Sequence, residues 1–130
     1  MILYPNAKIN IGLNILNKRE DGYHNISSIF YPLLSLVDIL EVIPSNTFSF
    51  ISSGIFLPNE ENICEKAFKI LHKEFSIPPV SIHLHKKIPI GSGLGGGSSD
   101  AVFTLKALNL IFKLNLTKDK LKKNCIKVRC

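Results

Sequence analysis

The chain has few cysteines and no long apolar run, and each of these absences disfavours a class of protein. Its 130 residues include three scattered cysteines, Cys64, Cys125 and Cys130, without CxxC or histidine spacing. This pattern predicts reduced thiols rather than a disulfide framework or a zinc site. No apolar run approaches the roughly 18 residues that span a bilayer, so no membrane partner is expected. The opening MILYPNAKIN lacks a charged leader before an apolar segment, which favours a cytoplasmic protein.

Acidic residues are also scarce. Ten Asp and Glu stand against 16 Lys and Arg, giving a formal net charge of +6. The basic residues are spread out except in KDKLKKNCIKVR, residues 118–129, so no nucleic-acid partner is expected, and a phosphate-rich small ligand fits the charge equally well. Hydrophobic residues make up 45% of the chain, a globular composition, and the length predicts one domain over residues 1–130.

The first half alternates with the period of β-strands. In AKINIGLNIL, residues 7–16, apolar side chains from Ala7 to Ile15 occupy every second position, which predicts a half-buried strand. Its other face, with Lys8 and Asn10, is either an ordinary exposed face or the polar wall of a ligand cleft. Asp21-Gly22 predicts a turn. DILEVIP and FSFIS predict two further strands, with PSNT as the turn between them.

The second half mixes helical and strand periods. NICEKAFKILHKEF predicts an amphipathic helix from Asn62, and VSIHLHKKIP predicts a strand with His83 and His85 on its polar face. Two histidines at i and i+2 could bind a metal, but no third ligand is evident, so exposed strand residues are favoured. A second helix is expected to run to about Leu114, followed by a third with Thr117 as its N-cap. The fold class predicted is α+β.

The stretch PIGSGLGGGSSDAV, residues 89–102, contains five of the eight glycines. It lies between a predicted strand and a helix whose first turn is expected at about Ser98-Ser99. A helix N-terminus presents unpaired N–H groups and a partial positive charge. Preceding glycines let the backbone approach a ligand closely and turn further N–H groups inward. The combination predicts a cradle for a di- or triphosphate.

Other readings of this loop are weaker. No Gly-Lys-Ser/Thr follows, so it is not a Walker A loop. GSGLGG formally fits the dinucleotide fingerprint, but the acidic residue expected some 20 positions later falls on Asp119 in the basic tail. A flexible linker is the remaining alternative, and the close flanking by Pro89 and an amphipathic helix disfavours it.

PIGSGLGGGSSDA resembles the second motif of the GHMP kinases, small-metabolite kinases whose Gly-Ser loop holds the phosphates of ATP. AKINIGLNIL and REDGYHNISSIF resemble one branch of that family, which phosphorylates the 2-hydroxyl of a cytidine diphosphate-linked methylerythritol in the non-mevalonate isoprenoid pathway. The Asp-Gly-Tyr-His segment disfavours the mevalonate and homoserine branches. The resemblance covers essentially the whole chain. It implies the family's N-terminal ATP-binding domain, a ribosomal protein S5 domain 2-like fold with a mixed or antiparallel sheet packed against helices.

The resemblance also implies site residues. Lys8 would be the catalytic lysine, favouring the developing alkoxide of the substrate. Asn10, Tyr23 and His24 would contact the substrate, with Tyr23 stacking on the cytosine. Asn62 and Lys86 would flank the adenine side of ATP, with Mg²⁺ near the phosphates and no protein-held metal site. The triphosphate would be wrapped by a continuous loop: Pro89, Ile90, Gly91, Ser92, Gly93, Leu94, Gly95, Gly96, Gly97, Ser98 and Ser99.

The sequence departs from the family towards Cys130. Family members carry a catalytic aspartate in a Gly-x-Asp-Val/Ile-Pro-like motif after the third helix, whereas IKVRC occupies the segment just before that position. Phosphoryl transfer needs a group that positions the hydroxyl and accepts its proton, and general-base catalysis typically contributes about 10²–10⁴-fold in rate. Residues 1–130 are therefore expected to represent the family's N-terminal half. The alternative to an active kinase is an inactive remnant that binds nucleotide weakly.

Overall fold

The chain folds as strands and helices that follow the order predicted from its sequence. The structure, a computed structural model, describes residues 1–18, 20–21 and 24–129, with residues 12–16, 24–28 and 129 described by their backbone. Its elements in chain order are β1 (Ile2–Leu3), β2 (Asn6–Lys18), β3 (His24–Val37), β4 (Ile39–Pro44), β5 (Ser49–Gly54), α1 (Ile63–Phe75), β6 (Val80–Lys86), α2 (Gly96–Ile111) and α3 (Lys118–Arg129).

Four strands form a mixed sheet in the order β1-β4-β6-β5. The pairs β1–β4 and β4–β6 are antiparallel, whereas β5 runs parallel to β6. PSNT therefore does not close a hairpin, because β6 is inserted between the two strands that it connects. Leu84 lies opposite Leu40, and Ile82 lies opposite Val42, and all four side chains are buried. These alternate positions give the sheet one apolar face.

The helices cover that apolar face and share one core with it. Buried residues of α1 and α2, including Leu71 and Leu105, join the sheet residues in a single hydrophobic cluster. The cap at Thr117 is confirmed, since its hydroxyl accepts the N–H of Lys120 at 3.2 Å. The predicted start of α2 at Ser98-Ser99 is wrong by two residues, and its predicted end at Leu114 is three residues too late. Glycine is a poor helix former, so residue propensity alone conceals a helix that begins on two glycines.

Strands β2 and β3 form a separate antiparallel ribbon. Among the β2 side chains that the structure describes, the predicted inward face is mixed: Ala7 is fully buried, but Ile11 is 50% exposed. Because β2 and β3 do not pair with the four-stranded sheet, alternate side chains of β2 need not face the hydrophobic core. Its partner strand also carries exposed apolar side chains at Ile29, Phe30 and Leu34.

The architecture confirms the α+β class and the expected mixed sheet packed against helices. Among the described residues, no helix is both long and apolar enough to span a membrane.

Candidate functional site

The glycine loop connects the end of β6 to the start of α2 and alternates in backbone handedness. Gly91, Gly93 and Gly95 have φ values of 67°, 77° and 71°. This left-handed region costs glycine little and other residues considerably more. Alternating left- and right-handed residues turn successive N–H groups towards one side, which forms an anion-binding concavity. The glycine pattern of the sequence thus corresponds to a backbone suited to a phosphate.

The loop leads directly into the N-terminus of α2. Gly95 is the N-cap and makes no side-chain capping bond, and the first turn contains no acidic residue. The first N–H groups of a helix have no partner within the helix, and they carry its partial positive charge. At α2 this end of the helix is open to an anionic ligand rather than closed by a capping side chain.

Lys8 lies against the loop. Its backbone N–H donates to the carbonyl of Leu94 at 2.8 Å, which fixes the loop to β2. A Cβ atom added to Gly95 would lie 2.8 Å from Cε of Lys8, so this side chain passes directly over Gly95 and would have to shift, and the positive φ of Gly95 independently favours glycine. The ammonium group donates to Oδ1 of Asn10 at 3.3 Å and lies 5.2 Å from the centre of the Phe30 ring. The predicted catalytic lysine and the predicted phosphate loop are therefore neighbours.

A cavity of about 490 Å³ opens beside the loop. Its wall combines loop backbone with apolar side chains such as Leu57, Ile63 and Ile90. Of the predicted nucleotide-binding residues, all except Leu94 and Ser99 line it. Lys8 and Asn10 do not line this cavity and lie on the β2 side of the loop. The arrangement offers an apolar compartment joined to a phosphate-sized concavity, which suits a nucleotide.

Asn62 has a structural task at the edge of this cavity. Its side-chain Oδ1 accepts the N–H of Cys64 at 2.9 Å, and its own N–H donates to Oε2 of Glu65 at 2.7 Å. The two bonds form a capping box at the start of α1. Contact between Asn62 and an adenine ring remains a prediction, in which the side-chain amide NH₂ would be the group available.

Lys86 is buried rather than presented to the cavity as a free cation. Only 4% of it is exposed, and Nζ donates to Oδ2 of Asp38 at 2.7 Å and to Oδ2 of Asp100 at 2.9 Å. Burial would lower the pKa of Lys86, but the two carboxylates outweigh it and raise the pKa. The predicted adenine contact therefore falls on a side chain already held in an ion-pair cluster.

The two carboxylates of this cluster differ in protonation. Burial, together with the hydrogen bond to Asp38, raises the pKa of Asp100 to about 8. Burial would also raise the pKa of Asp38, but hydrogen bonds from Asp100, Lys86 and the loop backbone outweigh it and lower the pKa. Asp38 is thus the carboxylate that stays ionised at neutral pH.

Sequence reasoning missed Asp38, although a signal was available. In β6 the apolar positions 80, 82 and 84 continue to Lys86, which predicts a buried lysine. In α2, Asp100 shares a helix face with Thr104 and Leu108 at four-residue spacing. A buried lysine needs a carboxylate partner, and Asp38, next to the apolar strand ILEVI, is a candidate on the same grounds.

The predicted substrate residues are only partly described. Asn10 is exposed and bonds to Lys8. The backbone of His24 begins β3 opposite Lys18, and Tyr23 lies outside the described residues. His83 and His85 both bond to the Ser53 hydroxyl, at 2.9 and 2.8 Å. Within the described ranges, no three His, Cys, Asp or Glu side chains are grouped as a metal site.

Comparison with known proteins gives these features a family. The N-terminal domain model of the GHMP kinases matches residues 62–130. The chain is 54% identical over 119 residues to a 4-diphosphocytidyl-2-C-methyl-D-erythritol kinase of Cytophaga hutchinsonii, covering 90% of this chain and 44% of that protein. The kinase of the same name from Bacteroides thetaiotaomicron is 51% identical over 127 residues, covering 93% and 46%. The chain thus spans about half the length of the curated relatives it matches.

Solved structures agree with this family. A crystal structure of 4-(cytidine 5'-diphospho)-2C-methyl-D-erythritol kinase is 34% identical, covers 96% of this chain and 46% of its own, and superposes with a TM-score of 0.77. A mevalonate kinase at 19% identity and a TM-score of 0.65 shares the fold. On the strength of the family model, which matches more than half of its residues, the chain belongs to the GHMP kinases.

Proposed function

We propose that this chain binds ATP through its glycine loop and serves the transfer of the γ-phosphate to the 2-hydroxyl of 4-diphosphocytidyl-2-C-methyl-D-erythritol. The observation that carries the proposal is the junction of Lys8 with the loop, where the Lys8 N–H donates to Leu94 and the Lys8 side chain passes Gly95. A cation beside a phosphate cradle is the arrangement that phosphoryl transfer requires. The similarity to kinases of that name supports this choice of substrate.

Each part of the site has a proposed task. The N–H groups of residues 91–98 would hold the polyphosphate, except that of Leu94, which donates to Oγ of Ser92 at 3.4 Å. The Ser98 and Ser99 hydroxyls lie at the start of α2, within the same segment. Mg²⁺ would arrive with ATP and neutralise phosphate charge. The Lys8 ammonium would stabilise negative charge that develops on the attacking hydroxyl oxygen. Asn10, Tyr23 and His24 would orient the cytidine-bearing substrate. The cytoplasmic location expected from the sequence stays a prediction.

The hydroxyl proton also needs an acceptor, and this separates two forms of the proposal. The resemblance gives that task to an aspartate in a Gly-x-Asp-Val/Ile-Pro-like motif, and residues 1–130 contain no such motif. Asp100, the acid nearest the loop in sequence, is buried and bonded to Lys86. We therefore propose nucleotide binding for residues 1–130, and phosphoryl transfer only where such a proton acceptor is also present.

Ser98→Asp tests the phosphate cradle. A carboxylate in the first turn of α2 is expected to stabilise the helix through its dipole, and yet to repel a phosphate at the same place. We expect ATP–Mg²⁺ affinity, measured by isothermal titration, to fall at least tenfold while Tm is unchanged or higher. Ser98→Asn is the uncharged control and should retain most of the affinity. Equal affinity in Ser98→Asp and the parent chain would exclude phosphate binding at α2.

A second experiment tests the kinase assignment. The chain is incubated with ATP, Mg²⁺ and 4-diphosphocytidyl-2-C-methyl-D-erythritol, and phosphorylated product is measured. Turnover that disappears in Lys8→Ala but persists in Lys73→Ala, an exposed lysine on α1, would support catalysis by residues 1–130 themselves. Binding without turnover supports the nucleotide-binding form. A parent chain that binds no ATP contradicts both.

A further inference from the structure

Asp38 lies where the segments that build the site meet. It occupies the single residue between β3 and β4 and is fully buried. Its own N–H donates to the carbonyl of Pro5 at 2.8 Å, three residues before Lys8. No part of Asp38 lines the cavity beside the loop. Its influence on a bound nucleotide would therefore have to act through the residues that it holds.

The Asp38 carboxylate holds the beginning of the loop with one oxygen. Oδ1 accepts the N–H of Lys87 at 2.7 Å and the N–H of Ile88 at 2.9 Å. These are the first two residues after β6, where the chain leaves the sheet. Two adjacent N–H groups that converge on one buried carboxylate oxygen fix the direction in which the loop departs.

The other oxygen holds the end of the loop. Oδ2 accepts from Nζ of Lys86 at 2.7 Å, and the same Nζ donates to Asp100 in the second turn of α2 at 2.9 Å. The ammonium also lies close under Gly96, because a Cβ there would come within 2.8 Å of Nζ. Lys86 therefore connects Asp38 to the helix on which the phosphate cradle ends.

We propose that Asp38 is a positioning residue for the phosphate cradle: one carboxylate, directly and through Lys86, sets the glycine loop and the N-terminus of α2 against Lys8. This inference rests on the proposed nucleotide site and extends it to a residue that does not touch the nucleotide. The competing explanation is an ion pair that stabilises the core alone. Buried ion pairs often contribute little net stability compared with apolar replacements, so a positioning role accounts better for retaining a lysine and two carboxyl groups there.

A probe of loop position exists that needs no ligand. The Lys8 amide donates to Leu94, so its hydrogen-exchange rate reports whether the loop stays against β2. Lys8 bonds to Leu94 and Asn10 rather than to Asp38. The Asp38 N–H bond to Pro5 is a backbone bond that neither Asp38→Ala nor Asp38→Asn removes. The amide of Leu84, in the central strand β6, serves as the reference for global opening.

Three variants distinguish a positioning role of Asp38 from an ion pair that only stabilises the core. Asp38→Ala removes both oxygens, whereas Asp38→Asn keeps an amide oxygen for the loop N–H groups and loses the charge opposite Lys86. Glu74→Ala is the matched control, because it removes a carboxylate that pairs with Lys120 between α1 and α3, away from the loop. Exchange is measured by NMR well below every Tm, alongside the affinity for ADP–Mg²⁺.

We expect Asp38→Ala to speed Lys8 exchange at least tenfold relative to Leu84 and to weaken ADP–Mg²⁺ binding at least tenfold. Asp38→Asn should show smaller changes of both, and Glu74→Ala neither. If Asp38→Ala does not fold, Asp38→Asn decides alone, with an expected relative increase of at least threefold. An unchanged Lys8-to-Leu84 ratio in a folded Asp38 variant would overturn the inference, as would an equal change in Glu74→Ala. A parent chain without nucleotide affinity would refute the proposed function, while the exchange ratio would still decide the positioning claim.

Discussion

Gly96→Ala adds a single methyl group at the first residue of α2, and the structure leaves no space for it. A Cβ there would lie 2.7 Å from Cγ2 of Ile88 and 2.8 Å from Nζ of Lys86. Neither neighbour can easily move away. Ile88 is fully buried, and the lysine ammonium is held between two carboxylates. The methyl must therefore displace α2 or break into the cluster beneath it.

Two opposing effects determine how much Gly96→Ala changes the free energy of unfolding. An added methyl in a packed interior costs about 1–3 kcal/mol through displaced neighbours. Replacing glycine by alanine within a helix contributes about 0.5–1 kcal/mol in favour of folding. The two ranges differ by about 0–2.5 kcal/mol, so Gly96→Ala should lower the free energy of unfolding by about 1 kcal/mol. Gly97→Ala, the next residue of the same helix, meets nothing within 4 Å and should raise it by about 0.5–1 kcal/mol.

Urea denaturation followed by circular dichroism measures both values on the same chain. The decisive quantity is the order of stability, with Gly97→Ala first, the parent second and Gly96→Ala last. At roughly 2–8 °C per kcal/mol, the two variants should also be clearly separated in Tm. If Gly96→Ala is as stable as Gly97→Ala, then the N-terminus of α2 does not pack on Ile88 and Lys86 as described, and the proposed position of the phosphate cradle is wrong.

Three further predictions concern charge, a buried amide and a cap. Asp100 has a pKa raised from 3.8 to about 8, so its contribution to the free energy of unfolding is complete below about pH 4 and is lost as the pH rises to about 8. The free energy of unfolding should therefore fall between pH 5 and 8 by at most about 1.4 kcal/mol per pH unit. Asp100→Asn should reduce this slope in denaturation measured over the same pH range. Asn124 is fully buried, and its side-chain nitrogen and oxygen have no hydrogen-bond partner among the described residues; Asn124→Leu should raise the free energy of unfolding by about 1–2 kcal/mol, and a lower Tm would contradict this. Asn62→Ala removes the cap of α1 and should cost about 1 kcal/mol, whereas an unchanged urea midpoint would show that the capping box contributes nothing.

The strands and helices were accessible from sequence because local patterns determine them. Alternation in VSIHLHK and the helical period after Asn62 each identified an element with nearly correct bounds. The insertion of β6 between β4 and β5 was not accessible, since strand order depends on which edges meet in the folded chain. For the same reason, alternation along β2 predicted burial at Ile11, which the ribbon exposes.

The candidate site was likewise predictable from the sequence only in part. The glycine loop was recognisable because left-handed backbone and close approach require glycine at particular positions. That Lys8 lies beside the loop followed from family resemblance and not from spacing, since more than 80 residues separate them in the sequence. Asp38 was missed because its partners at residues 86–88 and 100 are distant in the sequence. The available signal, a lysine on the apolar face of β6, shows that a carboxylate is needed without showing which one.

The charges around the loop decide which lysine can act on a developing anion. Lys86 lies near the start of the loop in sequence, but its charge is compensated by the ionised Asp38 carboxylate at 2.7 Å, and its Nζ also bonds to Asp100 at 2.9 Å. Within the part of the chain that the structure describes, the Lys8 ammonium contacts Asn10 and the Phe30 ring, which are both uncharged. A charge without a paired carboxylate exerts a stronger field on its surroundings than a compensated one. In the proposed site, Lys86 would therefore position the phosphate cradle through the residues that it holds, and Lys8 would supply the positive charge.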